Sequence, residues 1–188
     1  EKIKFIAIVY NMLSEYLEFE KVNLPQIPMN TTPQEAANIL REYWGLGNKP
    51  IENIVYLAEN NGLIVTDFET ATGDVDAFSH KITSDGMETY LIGYSKNKRT
   101  AARIHFDVAH ELGHILLHNW CEDLESIEKE EFKEMELQAH AFASAFLLPE
   151  EEFRKDVSPY ATNLAYYTEL KKTWKVSIAA MIRRAKDL

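Results

Sequence analysis

The stretch that most constrains this chain is His110-Glu111-Leu112-Gly113-His114, an H-E-x-x-H pattern inside a long run that reads as helix. Residues four apart on a helix lie one turn up on the same face, so the two imidazoles can converge on a single ion. A catalytic zinc takes three protein ligands at about 2.0–2.3 Å and keeps a fourth position open. Glu111 can sit beside a water in that position rather than on the metal, and its carboxylate can take the water's proton during attack. The pattern points to metal-dependent peptide hydrolysis, with His110 and His114 as ligands and Glu111 as general base.

Three fixed residues in five recur by chance, and the bland alternative is a solvated histidine pair on an amphipathic helix. Local features weigh against it. Thr100 to Trp120 holds no proline, and Ile104, Val108, Leu112, Ile115 and Leu116 keep helical spacing, which buries one side of the helix. Gly113 in mid-helix costs about 1 kcal/mol relative to alanine. Such a glycine marks the close approach of another backbone or of a ligand.

The chain has 188 residues with 46% hydrophobic content, which suits one domain with an added arm. A net charge of −10 argues against an electrostatic grip on nucleic acid or anionic lipid over the whole surface. The single cysteine, Cys121, excludes an internal disulfide and fits a reducing, cytoplasmic compartment; it reads as a structural thiol rather than a ligand. No apolar run reaches the roughly 20 residues that span a bilayer. Position 1 is Glu, which fits a processed chain or a piece of a longer one. Lys2 and Lys4 flank the apolar start without a cleavage pattern, so a signal peptide is not expected.

In chain order, Ile3 to Phe19 predicts a helix, although the alternation Ile3, Phe5, Ala7, Val9 leaves a strand open. Pro25 and Pro28 make an extended connector. Thr32-Pro33-Gln34-Glu35 is a capping box with proline at the first helical position, and its helix closes at Gly45. Pro50 is expected to start the next helix, and Asn60-Asn61-Gly62 to end it in a left-handed cap. Strands are predicted at Leu63 to Thr66, Asp74 to Lys81 and Glu88 to Ser95, the last two joined by a turn at Ser84-Asp85-Gly86. The H-E-x-x-H helix should cover about 99–119. The acidic run Glu122 to Glu136 reads as a solvated loop and helix face. A second long helix continues from Ile127 to Leu148, stopped by Pro149, and shorter helices follow at 150–155, 160–173 and 178–187.

Two histidines hold a metal weakly, so a third ligand is expected downstream. His118 continues the spacing but lies one more turn along the axis, about 6 Å beyond His114. A metzincin would need Gly and His where Leu117 and Trp120 stand. Glu134, Glu136 and His140 remain, on a helix whose Ala139, Ala143 and Ala145 permit close approach to the first. Glu136 and His140 share one face, so one can bind metal while the other supports it. Glu136 is preferred because it completes a His₂Glu set of thermolysin type, and His140 stays open.

These residues resemble the ImmA/IrrE family of metallopeptidases. Arg103 to His118 is similar to that family's R-x-R-F-x-x-A-H-E-L-G-H-x-x-x-H signature. Glu136 to Ala143, with Phe146-Leu147-Leu148-Pro149, is similar to its E-x-x-A-x-x-F-A…L-M-P block. The likeness covers about 31–188, including the paired helices Gln34 to Gly62, the strand at Asp76 to Ser79 and the closing helices from Leu170. His105 stands for a usual Arg, Asp107 for a usual Thr and Leu148 for a usual Met. The resemblance implies a cytoplasmic zinc-dependent endopeptidase (manganese being the other metal considered) in which His110, His114 and Glu136 bind the metal and Glu111 is the base. It implies cleavage of XRE-type helix-turn-helix repressors, relieving repression of mobile elements or damage responses. It further implies that residues 1–30 are a connector helix and linker following a DNA-binding domain, and that 31–188 is the metallopeptidase domain.

The expected fold is α+β: a mainly helical, zincin-like domain with a small three-stranded antiparallel sheet beside the H-E-x-x-H helix. A substrate segment is expected to add to Glu88 to Ser95 as an edge strand. His105, His118 and His140 are the candidate oxyanion donors. Two rivals differ in class. One is a sensor or binding module whose metal is structural and which does not cut. The other is DNA binding around Thr173 to Ser177 with Lys171, Lys172, Lys175, Arg183, Arg184 and Lys186, although a basic helix packed on the domain explains those residues as well.

Overall fold

The computed structural model of the chain describes residues 2–69, 76–84, 87–95, 100–118 and 127–188. Cys121, Asp74, the turn residues Asp85 and Gly86, and the first part of the acidic run, Glu122 to Glu125, lie outside them.

The first segment is helical: α1 spans Lys2–Ser14. In α2 (Pro33–Tyr43) the Thr32 hydroxyl accepts from the Glu35 amide, and the Glu35 carboxylate accepts from the Thr32 amide at 2.9 Å. The capping box is therefore formed, with proline at the first position. Helix α3 (Ile54–Glu59) starts later than Pro50, because Asn53 caps it by accepting from the Tyr56 amide. Pro50 and its neighbours stay outside any helix, and the Lys49 and Gly47 carbonyls go instead to the Arg41 guanidinium, at 2.5 and 2.7 Å. Gly62 ends the following turn at φ +80°, where a Cβ would strike the backbone of Lys21 and Val22.

Strands β1 (Ile64–Phe68), β2 (Ala77–Ser84) and β3 (Met87–Ser95) form one sheet in the order β1-β3-β2. The hairpin pairing of β2 with β3 is antiparallel, Ser79 opposite Ile92 and His80 opposite Leu91. β1 pairs with β3 in parallel, Ile64 opposite Leu91. The α+β expectation holds, but the sheet is mixed rather than antiparallel. After β1 the chain crosses to the far side of the sheet, so β2 reverses and β3 returns in the direction of β1. β3 is consequently the central strand, hydrogen-bonded on both sides, and Glu88 to Ser95 is no edge at all. Among the described residues the outer strands of the sheet are β1 and β2.

Helices α4 (Ala101–Leu117) and α5 (Lys129–Leu147) carry the core on one side of the sheet. Val108 and Leu112 of α4 meet Phe142, Ala143 and Phe146 of α5 in one fully buried cluster that also takes in Ile92. At Gly113 the two helices pack tightly: a Cβ there would lie 3.1 Å from the Ala139 Cα and 3.1 Å from the Phe142 ring. The far end of α5 is held by two buried arginines. Arg41 donates to the Phe146 carbonyl, and Arg184 donates to the Leu148 carbonyl at 3.1 Å and to Gln34 at 2.6 Å. These carbonyls lack partners within their own helix, so the guanidinium groups satisfy them and complement the dipole. Burial lowers the Arg41 pKa to about 10, which leaves it charged at neutral pH. Helices α6 (Glu150–Val157), α7 (Leu164–Trp174) and α8 (Ile178–Asp187) close the structure, with Trp174 donating to Asp156 at 2.9 Å. No helix among the described residues is long and apolar enough to cross a membrane.

Gly113→Val should force α4 and α5 apart. An overpacked core of this kind loses about 1–3 kcal/mol, read as a lower urea midpoint at unchanged m-value.

Candidate metal centre

α4 begins at a Thr100 cap that accepts from the Arg103 amide, and three turns later it presents His110 and His114 on its α5-facing side. Their Nε2 atoms lie 3.0 Å apart, with the rings crossed at 78°. Glu136, two turns into α5, brings Oε2 to 3.4 Å from His110 Nε2 and Oε1 to 3.1 Å from His114 Nε2. The acidic run thus turns one of its carboxylates inward. Among the described residues, these three are the only group of His, Cys, Asp or Glu side chains brought close enough to share an ion.

The edges of this donor triangle fit a cation. Ligands about 2.0–2.1 Å from a tetrahedral zinc stand roughly 3.3 Å from one another. Glu136 is still a third exposed, while the two imidazoles are mostly covered, so the cluster opens to solvent on the Glu136 side. Hydrogen bonds with His110 and His114 hold the Glu136 carboxyl well below the usual range. It is therefore a committed anion, as a metal ligand has to be.

Glu111 behaves in the opposite way. It faces the sheet, is only 6% exposed, and its carboxyl is raised by burial against the opposing hydrogen bond from Ser79 of β2. Ser79 was not a candidate from the sequence. Its only signal was a place on the strand before the signature.

The remaining candidates separate. His140 lies outside the triangle, its ring 4.5 Å from that of His110 and 5.7 Å from Phe106. Glu134 also lies outside, hydrogen-bonded to Gln138. His105 is buried away from the cluster, where its Nε2 accepts from the Ile54 amide at 3.4 Å. His118 stands behind His114, Nδ1 to Nδ1 at 3.0 Å. Asp107 turns to Arg103 at 3.5 Å, and Arg103 reaches on to Asp76 at 2.5 Å. At the C-terminal end, Thr173 to Ser177 does make the turn between two helices, with Lys175 in the left-handed region. Three of its six basic side chains are engaged: Arg184 is buried, Lys172 pairs with Glu169 at 2.7 Å and Lys175 approaches Glu52 at 3.8 Å.

A family model described as Peptidase_M78, IrrE N-terminal-like domain, matches residues 58–186, a span that holds α4, α5 and the whole donor triangle. No curated protein matches the chain.

Glu136→Ala should weaken binding of a divalent cation by at least ~100-fold, above the 10–100-fold range typical of outer-shell losses. His140→Ala should leave it nearly unchanged. Metal retained after dialysis against a weak chelator, measured on both variants, checks the assignment.

Proposed function

Because this chain belongs to the Peptidase_M78 family of IrrE N-terminal-like domains, we propose that it is a cytoplasmic zinc-dependent endopeptidase that cuts a repressor of the XRE helix-turn-helix type and so relieves transcriptional repression. Residues 31–188 form the peptidase domain in this reading, and 1–30 its connector. The observation that carries it is the His110-His114-Glu136 triangle with Glu111 buried beside it against Ser79. A purely structural metal would have no use for a buried carboxyl next to its ligands. The choice of a repressor as substrate rests on the likeness of the signature blocks to the ImmA/IrrE enzymes.

In this mechanism His110, His114 and Glu136 hold the cation. A divalent cation so held supplies Lewis acidity, polarising a carbonyl and easing loss of a proton from water. The water oxygen bonds to the scissile carbonyl carbon as Glu111 takes one of its protons. Glu111 then hands that proton to the departing nitrogen as the C–N bond breaks, leaving a carboxylic acid and an amine. Burial suits Glu111 to the exchange, because a carboxylate with a raised pKa accepts the proton more readily. The substrate lies extended along β2, an outer strand of the sheet whose Ser79 stands beside Glu111.

Glu111→Gln should keep metal content and lower cleavage of an XRE-type repressor that the wild-type protein cuts by about 10²–10⁴-fold, the range for loss of a general base. Gel-resolved cleavage beside metal analysis of the same preparation checks it. A variant that cuts at the normal rate would remove Glu111 from the mechanism.

A further inference from the structure

His118, the third histidine of the four-residue series, is neither in the donor triangle nor idle. The side chain behind it fixes its protonation. Gln138 Nε2 donates to Glu134 Oε1 at 3.2 Å. An ionised carboxylate only accepts, so the amide is oriented with its nitrogen outward and its Oε1 towards His118. That oxygen lies 3.1 Å from His118 Nε2, which must therefore carry the proton. His118 Nδ1 is then a bare acceptor, 3.0 Å from Nδ1 of His114. His114 Nδ1 then donates to it, and with a cation held among His110, His114 and Glu136 the His114 Nε2 is the lone pair that binds it. From Glu134 to His114 Nδ1 every link has a direction, and these directions agree.

We propose that His118, Gln138 and Glu134 form a polarised relay from α5 back to α4 that locks His114 in the tautomer able to bind a cation, making His118 a positioning residue rather than a ligand. Ligating histidines commonly give their second N–H to a carboxylate. Here the carboxylate is reached through two intermediate side chains. His110 has no such support among the described residues, where its buried Nδ1 finds no hydrogen-bond partner. The two imidazoles are thus unequal: one is held by an outer network and the other by packing against His140 and His114.

The inference rests on the metal-site reading, and the test keeps the two apart. Long-range ¹H–¹⁵N correlation on the Zn²⁺-loaded protein reports histidine tautomers directly. The expected result is His114 protonated on Nδ1 and His118 on Nε2, and His118 protonated on Nδ1 would overturn the relay. Titration with Zn²⁺ against a competing chelator then compares the wild-type protein with three variants. His118→Leu should bind about 10–100-fold more weakly. His118→Asn, whose Oδ1 can accept from His114, should recover most of that loss, and Gln138→Leu should show a smaller loss. The double variant His118→Leu/Gln138→Leu should be no weaker than His118→Leu alone, since the outer link acts only through the inner one. Circular dichroism and a urea midpoint confirm that each variant is folded; should His118→Leu unfold, Gln138→Leu and the tautomer spectrum carry the test. Equal affinity of His118→Leu and wild type, or equal loss in the Leu and Asn variants, refutes the relay while leaving the metal site standing. A wild-type protein that binds no Zn²⁺ refutes both.

Discussion

The close contact of α4 with α5 at Gly113 is the constraint on which the rest depends. The two histidines come with α4 alone, since helical spacing puts them on one face. The third donor is on another helix, and its distance from the imidazoles is set by how near the two backbones lie. The absent side chain at Gly113 and the small ones at Ala139 and Ala143 set that distance. Interiors pack as tightly as organic crystals, so a sub-ångström change here would be felt as a misplaced carboxylate rather than absorbed.

Two carboxyl groups on either side of one imidazole pair are displaced in opposite directions. Glu136 is stabilised as an anion by His110 and His114, whereas Glu111 is pushed towards its neutral form by burial. Environment alone separates them, because the residue type is the same. A divided pair of this kind gives one group a fixed charge and the other a movable proton, the usual sign of distinct chemical roles. Ser79 tempers the second displacement, which ties the acid–base behaviour of Glu111 to the edge strand.

Much of this was legible in the sequence where the signal is local. The capping box at Thr32 to Glu35, the H-E-x-x-H helix, the β2–β3 hairpin and the approach of Glu136 to His110 and His114 all follow from spacing within one or two elements. The parallel pairing of β1 with β3 did not follow, because hydrogen bonding between strands that are not consecutive leaves no local trace. That error carried over to the expected edge strand, which proved to be the centre of the sheet. Pro50 misplaced the start of α3, since proline marks a helix start only where a cap stands just before it, and here the cap is Asn53. His118 was seen to be out of reach of the ion, but its use depends on Gln138, a residue with no signal until two helices are set side by side.

The paired arginines at the end of α5 bear on what counts as a minimal unit of this protein. The family match begins at residue 58, yet Arg41 and the Arg184 partner Gln34 both belong to α2, which lies before it. A helix carrying a site residue is therefore moored by a segment outside the recognised family span. A fragment trimmed to that span would retain every group of the site and lose the guanidinium that caps the Phe146 carbonyl. A division upstream of Thr32 would keep both of these contacts within one piece.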